Sequence, residues 1–255
     1  MKNHFFALFF VVATISVLFW LSRIYTPHRV QQSPQVIIVG TSADFKPMSY
    51  KEHDEVIGFD IDVVTEVARR LGKEIELRDM PFDLLIPQLQ LGTVHCVAAG
   101  LSETPERARR VIFSPTYLGN DPLVVVTRVG DNEPKTIADA LAREVAVNQG
   151  YTADIYLSKL PDVKIRRLPS VADAILALRL GQVDAFVTSR NSIAPFLASA
   201  AENSYATLVI PDTDENMALA ISKQYPELGE EISKVILSMM EDGTIDTLRE
   251  KWHVL

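Results

Sequence analysis

Beyond residue 35 the chain alternates short, continuous apolar runs with segments whose apolar residues recur every three or four positions. Val36-Ile37-Ile38-Val39 is a run of the first kind and suits a strand buried on both faces. Ile61, Val64, Val67, Ala68 and Leu71 recur at helical spacing, and Gly72 supplies a C-terminal stop. A second helix is expected over 83–91, ended by Gly92 and followed by a strand to Ala98. In the second half, Val145-Ala146-Val147 reads as a strand, 152–160 as a helix and 163–167 as a strand. The alternation predicts an α/β protein.

One internal echo divides that protein in two. Leu89-Gln90-Leu91-Gly92-Thr93-Val94 leads into a strand ending at Ala99-Gly100. Leu178-Arg179-Leu180-Gly181-Gln182-Val183 leads into one ending at Thr188-Ser189. Each is helix, glycine, strand, which predicts two similarly built lobes. In open parallel sheets ligands sit beyond the C-terminal strand ends, so 99–102 and 188–190 are expected to face a cleft between the lobes.

The first residues change the compartment. Lys2 and His4 precede an apolar run over 5–21, and a polar, Pro-containing stretch follows over 22–34. That layout is an export signal. No A-x-A site follows the run and no cysteine offers a lipid site, so the segment is expected to remain as a membrane anchor rather than be cleaved. At about 1.5 Å per residue it falls slightly short of the roughly 30 Å hydrocarbon core, with Trp20 and Tyr25 placed for the interface.

Charge and cysteine content narrow the partners. Formal net charge is -8, and the first thirty residues hold Lys2, Arg23 and Arg29 but no acid, leaving the remainder at -11. Such a surface repels phosphate backbones, so nucleic acid is not expected as a partner. Cys96 is the single cysteine. It rules out an internal disulfide and CxxC zinc sites, and neither a cofactor nor a metal is expected.

A series of motifs in fixed order carries a resemblance. Gly40-Thr41 with Phe45 and Pro47 comes first, then Gly58-Phe59-Asp60-Ile61-Asp62-Val63 ending in Arg70-Leu71-Gly72. Phe82-Asp83-Leu84-Leu85-Ile86-Pro87-Gln88-Leu89, Gly100-Leu101-Ser102 with Thr104 and Arg107, and Phe113-Ser114 with Tyr117 follow. Gln149-Gly150 with Thr152, and Glu241-Asp242-Gly243-Thr244 through Lys251-Trp252, close the set. Over about residues 36–255 the chain resembles family 3 of the bacterial extracytoplasmic solute-binding proteins, the polar amino-acid binders of ABC transporters. The resemblance implies the type II periplasmic binding protein fold, two α/β lobes joined by a two-strand hinge with the ligand cleft between them. It places lobe one at 36–122 plus 213–255 and lobe two at 127–208, with crossings near 123–126 and 208–210. It also implies a monomeric periplasmic receptor serving an inner-membrane ABC permease.

The residues can be read beside the resemblance. Asp60 reads as the cap of the helix it opens. Thr104-Pro105 is a helix start, which places Arg107 in the first turn, where a cation is poorly sited without an anion partner. By resemblance Arg107 clamps a ligand α-carboxylate, with Ser102 and the backbone at Thr152 assisting, and Phe45 and Phe82 sandwich the ligand side chain. Ala99, Gly100, Ser42 and Gln149 complete the expected site.

The departures concentrate in the pocket. The second-lobe acid that pairs with a ligand ammonium is missing, and Ser189 or Arg190 stands in its place. Ser42 and Ser49 replace acids found in some relatives, Ala153 replaces a polar residue, and His95, where the first lobe usually has Asp, reads as structural. The expectation is weak binding of basic amino acids, with a neutral or acidic amino acid, or a carboxylate without an ammonium, as ligand; the alternative is that Arg190 points into solvent and Asp121 or Asp184 takes over the ammonium. An enzyme resembling cyclohexadienyl dehydratases is the alternative, with His95, Asp121 and Asp184 as candidate acids by residue type. A membrane-anchored sensor is the third class, disfavoured by the expected end of the chain at Leu255 without a signalling domain.

Overall fold

The computed structural model describes residues 33–130 and 132–254. The apolar run at 36–39 becomes the strand Val36–Thr41, held between Glu74–Asp79 and Cys96–Val97 in parallel register. Beyond the exposed Val36 its side chains are buried or half-buried on both faces, which is why it alternates so little. Ala220–Ile221 and Ile112–Phe113 complete this five-stranded sheet in antiparallel register.

A second sheet repeats the plan. Glu144–Asn148 lies between Lys164–Leu168 and Ala185–Ser189, again parallel, and Leu123–Arg128 and Tyr205–Val209 extend it in antiparallel register. The echo in the sequence falls at equivalent places. Phe82–Leu91 ends at Gly92 before Cys96–Val97, and Val171–Arg179 is followed by Gly181 before Ala185–Ser189. Gly92 and Gly181 both adopt positive φ, 72° and 70°, which reverses the chain into the strand at no Cβ cost. Two sheet-containing α/β lobes result, as the fold class read from the sequence requires.

The helix Phe59–Leu71 buries Phe59, Ile61, Val63, Val64, Val67 and Ala68, close to the predicted stripe. It shares a core with Pro226–Glu241 and Thr244–Trp252, whose Ile232, Ile236, Met239 and Ile245 are buried in the same cluster. The C-terminal helices thereby return the chain to the lobe built first. Among the described residues no helix is long and apolar enough to cross a membrane. The 5–21 segment, expected as anchor, lies outside the described residues.

Two expectations are corrected. The segments 123–126 and 208–210 are not the crossings: Val124, Val125 and Val126 are buried in the centre of the second sheet, and Leu208 and Val209 pair with that same strand. An unbroken apolar run fits a central strand better than a hinge. In chain order the ladder between Leu118–Asp121 and Glu215–Met217 stands between the two sheets instead, its first strand carrying the small or polar Gly119, Asn120 and Asp121. Nor does Asp60 cap its helix. Gly58 holds the cap position, and Asp60 is fully buried in the first turn, accepting hydrogen bonds from the Gly100 N–H and from the Tyr117 hydroxyl at 3.0 Å. Burial pushes its carboxyl up to about 6, against the pull of those donors.

Candidate functional site

Residues at the C-terminal ends of parallel strands from both sheets meet around a small cavity of about 10 Å³, lined by Phe45, Phe82, Gly100, Tyr151, Thr152, Ala153, Thr188, Ser189, Ser192 and Glu215. Each lining residue owes its place to a strand end or helix start. Gly100 follows the first-lobe strand Cys96–Val97, with φ at 61°, and a Cβ there would sit 2.4 Å from the Phe45 ring. Only glycine therefore lets Phe45 lie flat on this loop. Phe82 opens Phe82–Leu91, Tyr151 and Thr152 open Thr152–Leu157, and Ser189 caps Arg190–Ser199 by accepting from the Ser192 N–H at 3.3 Å.

Three aromatic rings bridge the lobes. Tyr151 of the second lobe approaches Phe82 at 4.3 Å and Phe45 at 5.9 Å, centroid to centroid. They form apolar walls that suit a flat, polarisable side chain.

Arg107 lies behind Phe82, its guanidinium 5.6 Å from the ring centroid and only 5% exposed. The expected Thr104 cap is present, accepting from the Arg107 N–H at 3.2 Å. The guanidinium donates to the Ser102 carbonyl at 2.7 Å and to the Gly150 carbonyl at 2.9 Å, so it touches both lobes. Burial lowers its pKa to about 10, while Glu215 and Glu106 favour the charge. At neutral pH it remains a buried cation bonded to carbonyl dipoles, an arrangement poised for a carboxylate. Ser102 is buried beside it, its Oγ without a hydrogen-bond partner.

The other expected residues divide. Ala99 is buried next to Gly100, in the loop whose amides face Asp60. Ser42 is buried and donates to the Asp44 carboxylate at 2.8 Å, while Ser49 donates to the Ser42 carbonyl at 2.7 Å. Gln149 sits on the rim, its amide donating to Asp83 of the first lobe at 2.8 Å. Arg190 does not line the cavity: it is exposed, at the start of Arg190–Ser199, and Ser189 faces inward in its stead. His95 accepts from the Ile38 N–H at 3.2 Å through Nδ1, away from the cavity, and Asp184 accepts from the Glu144 N–H at 3.2 Å at the far end of its strand.

Glu215 and Tyr151 escaped the sequence reading, which gives Asp121 only as a candidate acid by residue type and Thr188 only as part of the cleft-facing 188–190. Glu215 is 7% exposed, and its carboxyl is pushed up to about 7 by burial and by Asp121, against Thr152, Arg107 and Ser102, which favour its charge. Asp121 is its register partner on the opposite strand. One Asp121 oxygen accepts from the Asn191 N–H at 2.9 Å and the other has no partner. Tyr151 OH and Thr188 Oγ1 are likewise buried and unpartnered. Buried polar atoms are ordinarily satisfied, so their gathering around one cavity marks it as built for a polar guest. No group of three His, Cys, Asp or Glu among the described residues is placed to hold a metal ion.

Comparison with known proteins gives a consistent answer. The family model described as bacterial extracellular solute-binding proteins, family 3, matches residues 37–254. The arginine-binding extracellular protein ArtP of Bacillus subtilis (strain 168) is 29% identical over 222 residues, covering 85% of each chain. A solved ancestral arginine-binding protein bound to arginine superposes with a TM-score of 0.80 at 31% identity, covering 86% of this chain and 98% of that one. The ancestral amino acid-binding protein AncCDT-1, described as a precursor of cyclohexadienyl dehydratase, superposes at 0.76 with 33% identity, covering 86% and 95%.

Proposed function

Because the chain belongs to the bacterial extracellular solute-binding proteins, family 3, we propose that it is the receptor of an amino-acid ABC importer, capturing its ligand between the lobes and presenting it to an inner-membrane permease. The observation that carries this reading is Arg107: a buried guanidinium beside the cavity, bonded to carbonyls from both lobes. A ligand carboxylate supplies the charge those carbonyls lack and accepts bidentately, with the Ser102 hydroxyl and the Thr152 backbone as further donors. Phe45, Phe82 and Tyr151 hold the side chain. In this reading the receptor works as a monomer in the periplasm, tethered by residues 5–21, and lobe closure is a hinge motion about the Leu118–Asp121 and Glu215–Met217 ladder.

The ligand side chain is basic. Arg190 is exposed and so does not repel a basic side chain in the cavity, and Asp44 stands two residues after Ser42, where an acid was expected to be missing. Asp44 is exposed near Tyr151. Partial burial of its carboxyl raises the pKa against the Ser42 hydrogen bond; Asp79, which Lys51 already pairs at 2.6 Å, and Asp173 raise it to a lesser extent. A cation arriving at this end meets a carboxylate with no ion-pair partner among the described residues. A guanidinium also stacks well on aromatic rings, and arginine is what several relatives are named for binding. A thermal-shift screen of the twenty amino acids tests this: arginine should give the largest stabilisation, and a largest shift from glutamate would overturn the basic assignment.

An enzyme on the same fold is supported by one observation, the buried Glu215 carboxyl near 7 in the cavity, as a general acid requires. Incubation with a cyclohexadienyl carboxylate, followed by ultraviolet absorption of an aromatic product, separates the readings. A receptor gives none.

A further inference from the structure

An α-amino acid carries its two opposite charges on one carbon, so whatever clamps the carboxylate must have an acid close beside it. The strand end that would supply this acid from the second lobe reads Thr188-Ser189, without a carboxylate. Glu215 is in the right place. It lines the same cavity as Thr152, Ser189 and Ser192 and shares the adjoining cleft with Ser102 and Thr152, two of the residues assigned to the carboxylate, while the third, Arg107, favours its charge.

We propose that Glu215, carried by the strand that joins the lobes, is the counter-ion of the ligand α-ammonium and so sets the preference for amino acids over plain carboxylates. The assignment rests on the amino-acid reading above and gives that site its missing anion. Thr188 Oγ1 and Ser102 Oγ, both buried and unpartnered, are further acceptors for an ammonium, which has three donors to satisfy. Two consequences follow from the position. Glu215 pairs in register with Asp121 on the crossing ladder, so the ammonium is read at the hinge itself rather than by the closing lobe. Capture of the backbone charges then precedes closure, and the second lobe adds Tyr151 and Thr152 over a ligand already oriented.

Protonation is linked to the same event. The titratable groups facing Glu215 are Arg107 on Pro105–Ala108, Asp121 on the paired strand and Tyr151 before Thr152–Leu157. Burial, and after it Asp121, oppose its ionisation, and Thr152, Arg107 and Ser102 favour it, leaving the carboxyl near 7. An arriving ammonium stabilises the ionised form, so the bound pKa falls below the free one. Affinity therefore rises as pH increases from about 5 to 7, and binding at pH 6 releases a proton.

The experiment pairs a change in the receptor with a change in the ligand. L-Arginine and L-glutamine are each titrated against their des-amino analogues, 5-guanidinopentanoate and 4-carbamoylbutanoate, with wild type, Glu215→Gln and Arg107→Ala. Wild type should prefer each amino acid to its analogue, and Glu215→Gln should lose roughly 30-fold or more for the amino acids while holding the analogues nearly unchanged. Glu215→Gln binding the amino acids as tightly as wild type, or more tightly, overturns the assignment, the latter showing that Glu215 competes for Arg107. Arg107→Ala losing all four while Glu215→Gln loses none leaves the receptor reading standing and removes Glu215 alone. Failure of wild type to bind any of the four overturns both. Should Glu215→Gln not fold, calorimetry of wild type at pH 6 in buffers of different ionisation enthalpy decides: proton release supports the assignment, and zero exchange or uptake contradicts it.

Discussion

Arg107 Nη2 donates to the Gly150 carbonyl at 2.9 Å, a first-lobe cation bonded to the second lobe's backbone. The same residue assigned to the ligand thus also reads whether the lobes are closed. Arg107→Ala removes both functions. Removing one partner of a buried charge pair costs about 2–5 kcal/mol, so ligand affinity should fall roughly 30-fold or more, while far-ultraviolet circular dichroism stays that of wild type. Arg107→Lys should recover little, since an ammonium cannot present the paired donors. Equal affinity in Arg107→Lys and wild type would remove the bidentate clamp.

Gly100→Ala should be severe for so small a change. The added Cβ meets Phe45 at 2.4 Å, and the residue adopts positive φ. Phe45 has to leave its seat, so we expect destabilisation of about 1–3 kcal/mol with loss of ligand binding. Thermal melting with and without ligand checks both halves.

Much of this was legible in the chain and some was not, for identifiable reasons. Arg107 could be found because Thr104-Pro105 places it in a first helical turn beside Gly100-Leu101-Ser102, and because the resemblance to the family implies a carboxylate clamp at that position. The helix start alone also fits a solvated surface arginine. Gly92 and Gly181 announced the duplicated lobe through local backbone chemistry. Glu215 could not be found that way: it ends the run Asp212-Thr213-Asp214-Glu215, which reads as a solvated acidic loop. Only pairing with Asp121, a partner far off in sequence, turns it inward. Ser189 and Arg190 illustrate the other limit. One residue decides which side chain enters the cavity, and a one-residue slip reverses the answer.

Acidity should stabilise the ligand-free protein over a defined window. Asp60 and Glu215 have folded pKa values of about 6 and about 7, above their ordinary 3.8 and 4.5. The folded state therefore binds more protons between those limits, and stability falls as pH rises from about 4 to 7. At 1.36 kcal/mol per unit each group contributes on the order of 3 kcal/mol. Asp60→Asn should flatten its share of that slope, whereas Asp60→Ala strands the Gly100 and Tyr117 donors and should destabilise at every pH. Chemical denaturation at pH 5 and 7 measures the difference, and a steeper slope in Asp60→Asn would contradict the assignment.

The Gln149–Asp83 hydrogen bond spans the lobes at the exposed rim. Bonds of this kind contribute about 0.5–1.5 kcal/mol. Asp83→Ala should therefore weaken ligand binding by only about 2- to 10-fold, chiefly through faster release, as stopped-flow dissociation would show. A loss as large as that of Arg107→Ala would mean that the rim, rather than the cavity, holds the closed form.

A receptor of this kind must take an amino acid in the cavity between its lobes. Isothermal titration of the wild-type chain with L-arginine at neutral pH should show one site per chain with a dissociation constant of about 1 μM or tighter, equivalent to about -8 kcal/mol. Absence of binding at millimolar arginine, together with none for any other amino acid, would contradict it.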